Sequence, residues 1–283
     1  MGVYVVSGAA SGMGRAAAEK LRGQGHTVVG VDLKDVEVLA DLSTADGRRT
    51  AVEGVLAAVD GHLDGAVLAA GVGPAPGSDR PRLIFEVNYR GVVDLLEGWR
   101  SALARADEAK VVVFGSNSTT TTPLVPRRAI RGLLAGDTEK ALRALRIFGK
   151  VAPSIAYGTS KIAVSHWVRR TATTKQWAGA GIRLNALAPG AVLTPLLEKQ
   201  LATPAEAKNI ERFPVPIGGF GDPDDLADWV VFMLSPAARF LCGSIVFVDG
   251  GSDAYFRADD WPRAVPLRKL PGYLRRFLGS SPH

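Results

Sequence analysis

The sequence has only one cysteine, Cys242, among its 283 residues. A single cysteine excludes an internal disulfide and is typical of proteins from reducing compartments. No apolar stretch approaches the roughly eighteen residues that a membrane-spanning helix requires. After Met1 the chain opens on a short apolar run, without a basic leader or a cleavage site. We therefore expect a cytoplasmic protein without stable membrane insertion.

Histidine is also scarce, since only His26, His62, His166 and His283 occur. None of the four stands in a motif with cysteine or acidic residues, so we expect no bound metal. The net charge of +6 could indicate a nucleic-acid partner, but half of it comes from the segment after Ser252, with six Lys or Arg and three Asp. The remainder has no basic and aromatic stripe, so we expect no nucleic-acid partner.

What the sequence does contain is a regular alternation of short apolar strands and helices. Hydrophobic residues make up 47% of the chain and charged residues 22%, which indicates a globular protein with a large core. The alternation predicts one doubly wound parallel α/β sheet. The expected strands are residues 3–7, 27–31, 36–40, 65–69, 111–115, 182–188 and 244–248.

A glycine-rich turn, with Gly8, Gly12 and Gly14, joins the first strand to a helix rich in alanine. Such a turn lets a pyrophosphate approach the backbone N–H groups at a helix N-terminus, which predicts a dinucleotide site. Asp32 ends the second strand, where a carboxylate accepts hydrogen bonds from ribose hydroxyls and repels a 2′-phosphate. The sequence therefore favours NAD over NADP. The nearby cations Arg15 and Lys34 argue for NADP, unless they are ordinary surface charges.

Tyr157 and Lys161 are four residues apart, which places both side chains on one face of a helix. An ammonium beside a phenol favours the phenolate, so Tyr157 could act as an acid or base near neutral pH. The pair alone is weak evidence, because a surface contact has the same spacing. Ser116 ends the fifth strand, at the edge where doubly wound sheets bind ligands. Asn88 lies inside a helix predicted over residues 80–105, where Asn has poor propensity.

Three further segments have distinct patterns. Residues 119–153 are predicted to form an insertion with two short amphipathic helices, packed on the parent domain or on a second subunit. Residues 194–213 interleave apolar and charged positions and are expected to form a substrate lid. Residues 253–283 form a basic and aromatic tail, in which prolines leave room for at most a short helix over residues 273–278.

Taken in order, these motifs resemble the short-chain dehydrogenase/reductase family over about residues 2–252. The resemblance rests on Gly8, Gly12, Gly14, Asp32, Ala70, Gly71, Asn88, Ser116, Tyr157, Lys161, Pro189, Gly190, Thr194 and Asp249-Gly250-Gly251. Two positions depart from the family pattern, with Ser7 in place of the usual Thr and Ala69 in place of Asn. The resemblance implies a Rossmann-type sheet with strand order 3-2-1-4-5-6-7 and a helical insertion before the Tyr157 helix.

The resemblance also implies residue roles. Tyr157 would be the general acid or base, Lys161 would lower its pKa and bind the nicotinamide ribose, and Ser116 would hold the reacting oxygen. Asn88 would hold a water that links Lys161 to solvent. The cofactor contacts implied are Gly8, Ser11, Gly12, Met13, Gly14, Asp32, Leu33, Asp41, Leu42, Ala70, Gly71, Tyr157, Lys161, Pro189, Gly190, Val192 and Thr194.

Within the family, the chain is similar to the bacterial 3α-hydroxysteroid dehydrogenase/carbonyl reductase subgroup. This similarity rests on Asp41-Leu42-Ser43-Thr44-Ala45, on residues 249–254 and on the long interval from Ser116 to Tyr157. It implies NAD-dependent interconversion of a hydrophobic secondary alcohol and its ketone. Other substrates remain open, namely a non-steroid alicyclic, terpenoid or acyl-chain alcohol. Two other functions also remain open: a catalytically inactive relative that senses the dinucleotide (a retired dinucleotide sensor), and a protein that binds membranes or nucleic acid through its tail. We expect a homodimer, with a tetramer possible.

Overall fold

A parallel sheet of seven strands, in the order β3-β2-β1-β4-β5-β6-β7, runs through the part of the chain that the computed structural model describes, residues 1–260 and 264–278. The strands are β1 (Val3–Ser7), β2 (Thr27–Asp32), β3 (Val38–Leu39), β4 (Gly65–Leu68), β5 (Lys110–Phe114), β6 (Arg183–Pro189) and β7 (Ile245–Val248). The predicted fold class and strand order are therefore confirmed.

Helices cover both faces of this sheet. They are α1 (Gly12–Gly23), α2 (Ala45–Ala58), α3 (Arg80–Phe85), α4 (Gly91–Leu103), α5 (Ser118–Thr121), α6 (Arg127–Leu134), α7 (Thr138–Leu145), α8 (Ala152–Thr171), α9 (Pro195–Leu201), α10 (Pro204–Glu211), α11 (Pro223–Leu234), α12 (Ser252–Arg257) and α13 (Leu270–Leu278). The central strands β4 and β5 are buried along their whole length. Such continuous burial is typical of a parallel sheet with helices on both sides.

The helix predicted over residues 80–105 is not continuous. A π-helical turn, Glu86–Arg90, separates α3 from α4, and Asn88 lies in this turn. π-Turns are rare and concentrate at functional sites, because the wider i→i+5 spacing locally changes the backbone hydrogen bonds. The poor helix propensity of Asn88 is consistent with this interruption.

The insertion forms the two expected helices, α6 and α7, and packs on the parent domain. Ala129 and Leu133 of α6 and Ala141 and Leu145 of α7 are buried in the same core as α8. α6 packs against α8, whereas α7 also approaches α3. A 3-10 turn, Arg146–Val151, then leads directly into α8. The insertion thereby covers part of the surface formed by α3 and α8.

The tail departs from its prediction in two places. α13 begins at Leu270 rather than at Tyr273, because Pro271 lies in the first turn, where a missing N–H costs no hydrogen bond. α12 spans the expected boundary at residue 252, and the Asp249 carboxylate accepts a hydrogen bond from the Asp253 N–H. Residues 261–263 and 279–283 of the tail lie outside the described residues. None of the described helices is both long and apolar enough to cross a membrane.

Candidate active site

The carboxyl ends of β1, β2 and β4 meet at one edge of the sheet, where the glycine turn lies. Gly8 adopts a φ of +76°, and its N–H donates to the Val31 carbonyl at 2.8 Å. A Cβ added at Gly14 would overlap with the carbonyl oxygen of Gly8. These two positions require glycine, so that α1 can begin directly against the end of β1.

A cavity of about 440 Å³ opens beside this turn. Its lining includes these expected cofactor residues: Gly8, Ser11, Gly12, Met13, Gly14, Asp32, Leu33, Asp41, Leu42, Ala70, Gly71 and Thr194. The sequence reasoning missed the lining residues Val31, Ala40, Ser43, Ala69, Val72, Leu83, Val87, Pro195 and Leu196. A cavity over a glycine turn and a helix N-terminus, with the Asp32 carboxylate in its lining, fits a dinucleotide.

Asp32 is held in place by two backbone donors. The Ala10 N–H donates to its Oδ2 at 3.0 Å, and the Leu33 N–H donates to its Oδ1 at 2.7 Å. The carboxylate therefore joins the glycine turn to the end of β2 while keeping acceptor capacity toward the cavity. The two cations that argued for NADP lie near carboxylates instead, since Arg15 pairs with Glu19 and Lys34 with Asp35, each at 3.7 Å.

Arg48 supports the opposite wall of the cavity, and the sequence reasoning missed it. Its guanidinium is buried, donates to the Leu42 carbonyl at 3.0 Å, and pairs with Asp94 at 2.8 Å and Glu86 at 3.0 Å. Hydrogen bonds from Ser43 hold the pKa of the Asp41 carboxyl below its usual range. The sequence does not indicate that Arg48 is buried, because nothing in its neighbouring residues distinguishes it from an arginine on the surface.

The two departures from the family pattern lie at the end of β1 and β4. The Ser7 hydroxyl accepts a hydrogen bond from the Ala70 N–H at 3.3 Å, so this shorter side chain still joins the two strand ends. Ala69 presents a methyl group to the glycine turn at Gly14. Neither residue carries a catalytic atom.

Five expected cofactor residues do not line this cavity: Tyr157 and Lys161 are described below, and the other three are Pro189, Gly190 and Val192. The Pro189 carbonyl accepts from the Asn117 N–H at 2.9 Å, and a Cβ at Gly190 would lie 2.8 Å from the Asp249 Cα. Val192 is buried and bridges to Gly221. These contacts alone give the three residues packing roles, and their contact with a cofactor stays a prediction.

Tyr157 and Ser116 lie together on the other side of the site. Ser116 follows β5 and is buried, and it lies close enough to the phenol of Tyr157 on α8 to influence its pKa. Burial raises the pKa of Tyr157, and the nearby Ser116 side chain opposes this effect only in part. Desolvation of the phenolate thus has the larger effect on the Tyr157 pKa, and the lowering of this pKa by Lys161 stays a prediction.

Lys161 is buried one turn further along α8. Its Nζ donates to the Phe114 carbonyl at 2.7 Å and lies 5.9 Å from the centre of the Tyr157 ring. Burial lowers the pKa of Lys161 to about 8. Tyr157 and Lys161 thus lie on one face of α8, as predicted, but the Lys161 ammonium binds the Phe114 carbonyl at the end of β5 rather than the Tyr157 phenol.

The Asn88 side chain is occupied by the backbone of Val72. Its Oδ1 accepts from the Val72 N–H at 2.8 Å, and its Nδ2 donates to the Val72 carbonyl at 3.0 Å. Asn88 thereby fixes the segment that follows β4, which lines the dinucleotide cavity. The expected water-holding role would fall to the remaining acceptor capacity of Asn88, and it stays a prediction.

Two polar side-chain atoms next to Ser116 are buried without a partner among the described residues. These atoms are the Nδ2 of Asn117 and the Oγ of Ser118. Buried polar atoms without partners are rare and often mark binding positions. In the described ranges, no cluster of His, Cys, Asp and Glu could hold a metal ion.

A second cavity, of about 850 Å³, lies beside the start of α8. It is lined by Pro74, Ala75, Pro76, Gly77, Ser78, Gly149, Lys150, Pro153, Ser154, Gln200 and Ile210. Its walls come from the segment after β4, the end of the insertion, and α9 and α10 of the expected lid. Leu196 of α9 covers Gly73 between the two cavities. The lid assignment itself stays a prediction.

The fold, the glycine turn and the Ser116, Tyr157 and Lys161 group are those of the short-chain dehydrogenase/reductases, and the chain belongs to this family. It is 37% identical to the 3-alpha-hydroxysteroid dehydrogenase/carbonyl reductase of Comamonas testosteroni, over 91% of this chain and 98% of that protein. A family model described as Enoyl-(Acyl carrier protein) reductase matches residues 140–253.

Two further relatives narrow the comparison. The crystal structure of the 3-alpha-hydroxysteroid dehydrogenase from Pseudomonas sp. B-0831, complexed with NADH, superposes with a TM-score of 0.84 at 41% identity, covering 91% of this chain and 99% of that one. The cis-4-hydroxycyclohexanecarboxylate dehydrogenase of Sinomonas cyclohexanicum is 31% identical, over 89% of this chain and 96% of that protein. The similarity to the hydroxysteroid subgroup is therefore confirmed.

Proposed function

We propose that this protein is an NAD-dependent oxidoreductase that interconverts a hydrophobic secondary alcohol and its ketone. The observation that carries the proposal is that Ser116 lies close to the Tyr157 phenol, with Lys161 buried 5.9 Å from the Tyr157 ring, at the same sheet edge as the dinucleotide cavity. A proton donor, a second hydroxyl and a buried ammonium in this arrangement suit proton transfer to a carbonyl oxygen.

The residues divide the work as follows. Tyr157 gives a proton to the carbonyl oxygen during reduction and takes the hydroxyl proton during oxidation. Its raised pKa keeps the phenol protonated at neutral pH, which favours the acid role. Ser116 holds the same oxygen within reach of Tyr157, and Lys161 supplies a positive charge next to the developing oxyanion. Asn88 keeps the segment after β4 in place through its two hydrogen bonds to Val72.

NAD is the cofactor that the cavity fits best. When bound, it supplies the hydride acceptor or donor at its nicotinamide ring. Gly8, Gly12 and Gly14 would face the pyrophosphate, and Asp32 would accept hydrogen bonds from the ribose while repelling a 2′-phosphate. The NADH complex of the Pseudomonas relative supports the same choice.

For the substrate, we propose a ring-bearing alcohol or ketone. The printed names of two similar proteins concern a hydroxysteroid and a hydroxycyclohexane compound, and the second cavity has the size and proline-rich walls for an alicyclic skeleton. A retired dinucleotide sensor is disfavoured, because Ser116, Tyr157 and Lys161 are all present and assembled.

A panel of secondary alcohols tests the proposal, with NAD⁺ and NADP⁺ compared by the absorbance of the reduced nicotinamide. We expect oxidation of 3α-hydroxysteroids and substituted cyclohexanols with NAD⁺, and faster turnover with NAD⁺ than with NADP⁺. Lack of turnover with every alcohol, despite measurable NAD⁺ binding, would instead support the sensor. Higher kcat/KM with NADP⁺ would overturn the cofactor assignment.

We also propose a cytoplasmic homodimer. α11 exposes Trp229 and Phe232, and Phe240, which follows α11 in the chain, is fully exposed, so this surface could bind a second copy. The tail from residue 253 would lie along its own domain or cross to the partner. Light scattering of the full chain tests the assembly, and a stable monomer would contradict it.

A further inference from the structure

The second cavity is the place where the alcohol skeleton would lie, because it continues from the dinucleotide cavity. Val72 and Leu196 line the dinucleotide cavity, whereas Pro74 and Gln200 line the second one. Leu196 and Gln200 are four residues apart on α9 and therefore share a face of that helix. The two cavities thus adjoin along the segment after β4 and along α9.

The catalytic helix also borders the second cavity. Ser154, in the first turn of α8, lines it and lies three residues before Tyr157. Residues three apart in a helix lie on neighbouring positions of one face. A substrate whose oxygen reaches Tyr157 would therefore extend past Ser154 toward the end of the insertion.

The cavity has a single charged residue among its described lining residues, Lys150. The rest of the lining consists of proline, glycine, alanine and isoleucine with Ser78, Ser154 and Gln200 as polar groups. Within the described residues, Lys150 forms neither an ion pair nor a hydrogen bond. No carboxylate is among the described lining residues of this mostly apolar cleft, so the ammonium of Lys150 favours an anionic ligand group.

The backbone around Lys150 is fixed by the insertion. Gly149 adopts φ 50° and ψ −125°, a conformation that favours glycine and reverses the chain before Lys150. On the N-terminal side, Leu145 of α7 is buried in the main core, and on the C-terminal side Pro153 is buried at the start of α8. The backbone of Lys150 is therefore held between two buried residues, Leu145 and Pro153.

We propose that Lys150 selects alcohols and ketones that carry a carboxylate far from the reacting carbon, an inference that rests on the proposed function. Lys150 lies in the 3-10 turn before α8, seven positions ahead of Tyr157. The preferred substrate is therefore a hydroxy acid or keto acid whose carboxylate lies at the end of the skeleton remote from the reacting oxygen. The insertion thus supplies the residue that recognises the remote end of the substrate.

The experiment compares cyclohexanols that carry, at the 4-position, alkyl chains of increasing length ending in a carboxylate, each with its methyl ester. Wild type, Lys150→Gln and Lys150→Arg are measured beside Lys140→Gln, a control on the same insertion outside the cavity. In wild type we expect the acid to be preferred over its ester most strongly at an intermediate chain length. Added salt should weaken this preference, because it screens an exposed ion pair.

For Lys150→Gln we expect KM for the acids to rise about 1.4-fold to fivefold, the range of an exposed ion pair, with no change for the esters. Lys150→Arg and Lys140→Gln should keep the acid preference. Equal effects of Lys150→Gln on acids and esters, or no effect on either, would overturn the inference while leaving the proposed function intact.

Calorimetric binding of the same acids in the presence of NAD⁺ separates this inference from the proposed function. Loss of acid binding in Lys150→Gln but not in Lys140→Gln supports the role of Lys150 even without turnover, in which case only the proposed function fails. Binding that is the same in wild type and Lys150→Gln overturns the inference.

Discussion

Replacing Tyr157 with Phe removes one oxygen atom from the centre of the candidate active site. That oxygen lies close to the Ser116 side chain, which partly offsets the effect of burial on the pKa of the phenol. The ring of Phe keeps the packing of α8, so the fold should remain intact. Loss of this polar contact should change the free energy of unfolding by only about 1 kcal/mol.

The loss of activity should be much larger than this change in stability. General acid or base catalysis typically contributes about 10²–10⁴-fold to a rate. We expect kcat to fall by about 10³-fold, which corresponds to about 4 kcal/mol of transition-state stabilisation. NAD affinity should change little, because Tyr157 does not line the dinucleotide cavity.

The assay measures kcat by nicotinamide absorbance and NAD binding by calorimetry, with thermal unfolding as a check on folding. Tyr4→Phe is the matched control, because Tyr4 lies on β1 with its ring edge-on to His26, 4.9 Å away, outside the site. We expect Tyr4→Phe to keep wild-type kcat. Activity of Tyr157→Phe within tenfold of wild type would refute the assignment of Tyr157 as the proton donor.

Three further predictions concern the same site. For ketone reduction with NADH, kcat/KM should be constant at lower pH and should fall as pH rises through about 8, because Lys161 loses its charge there while the raised pKa of Tyr157 keeps the phenol protonated. A profile that stays flat to pH 10 would contradict this prediction. Asp32→Asn keeps an acceptor for the Ala10 N–H but removes the negative charge, so the ratio of kcat/KM for NAD⁺ to that for NADP⁺ should fall. An unchanged ratio would show that the Asp32 charge does not repel the 2′-phosphate. Gly14→Ala should weaken NAD⁺ binding at least tenfold in calorimetry, because the new methyl group would overlap with the carbonyl oxygen of Gly8. Wild-type affinity would mean that the turn does not bind the pyrophosphate.

Much of the site could be predicted from the sequence, because its residues belong to short local patterns. The glycine turn lies between an apolar strand and a helix, Asp32 ends a strand, and Tyr157 and Lys161 share a helical spacing. In a parallel sheet, all strands present their carboxyl ends at one edge. Residues at strand ends therefore converge there whatever the details of packing, and twelve of the expected cofactor residues do line one cavity.

Other features were decided only by tertiary packing. Arg48 becomes a buried support of the cavity because Leu42, Glu86 and Asp94 surround it, and these partners come from distant parts of the chain. Burial raises the pKa of Tyr157, although the local Tyr and Lys spacing predicted the opposite direction. Sequence spacing describes neighbours on one element, whereas desolvation depends on every element that covers the group.

In the insertion, too, the sequence predicts the helices, whereas packing decides what they contact. Its two helices were predicted from their apolar periodicity and from Gly136 and Asp137 at their junction, and the Asp137 side chain indeed accepts from the Lys140 N–H. Periodicity shows that a helix has a face to bury, but it does not specify the surface that covers it. The second cavity forms only where Lys150 and the start of α8 meet the segment after β4 and α9, which are far apart in the chain.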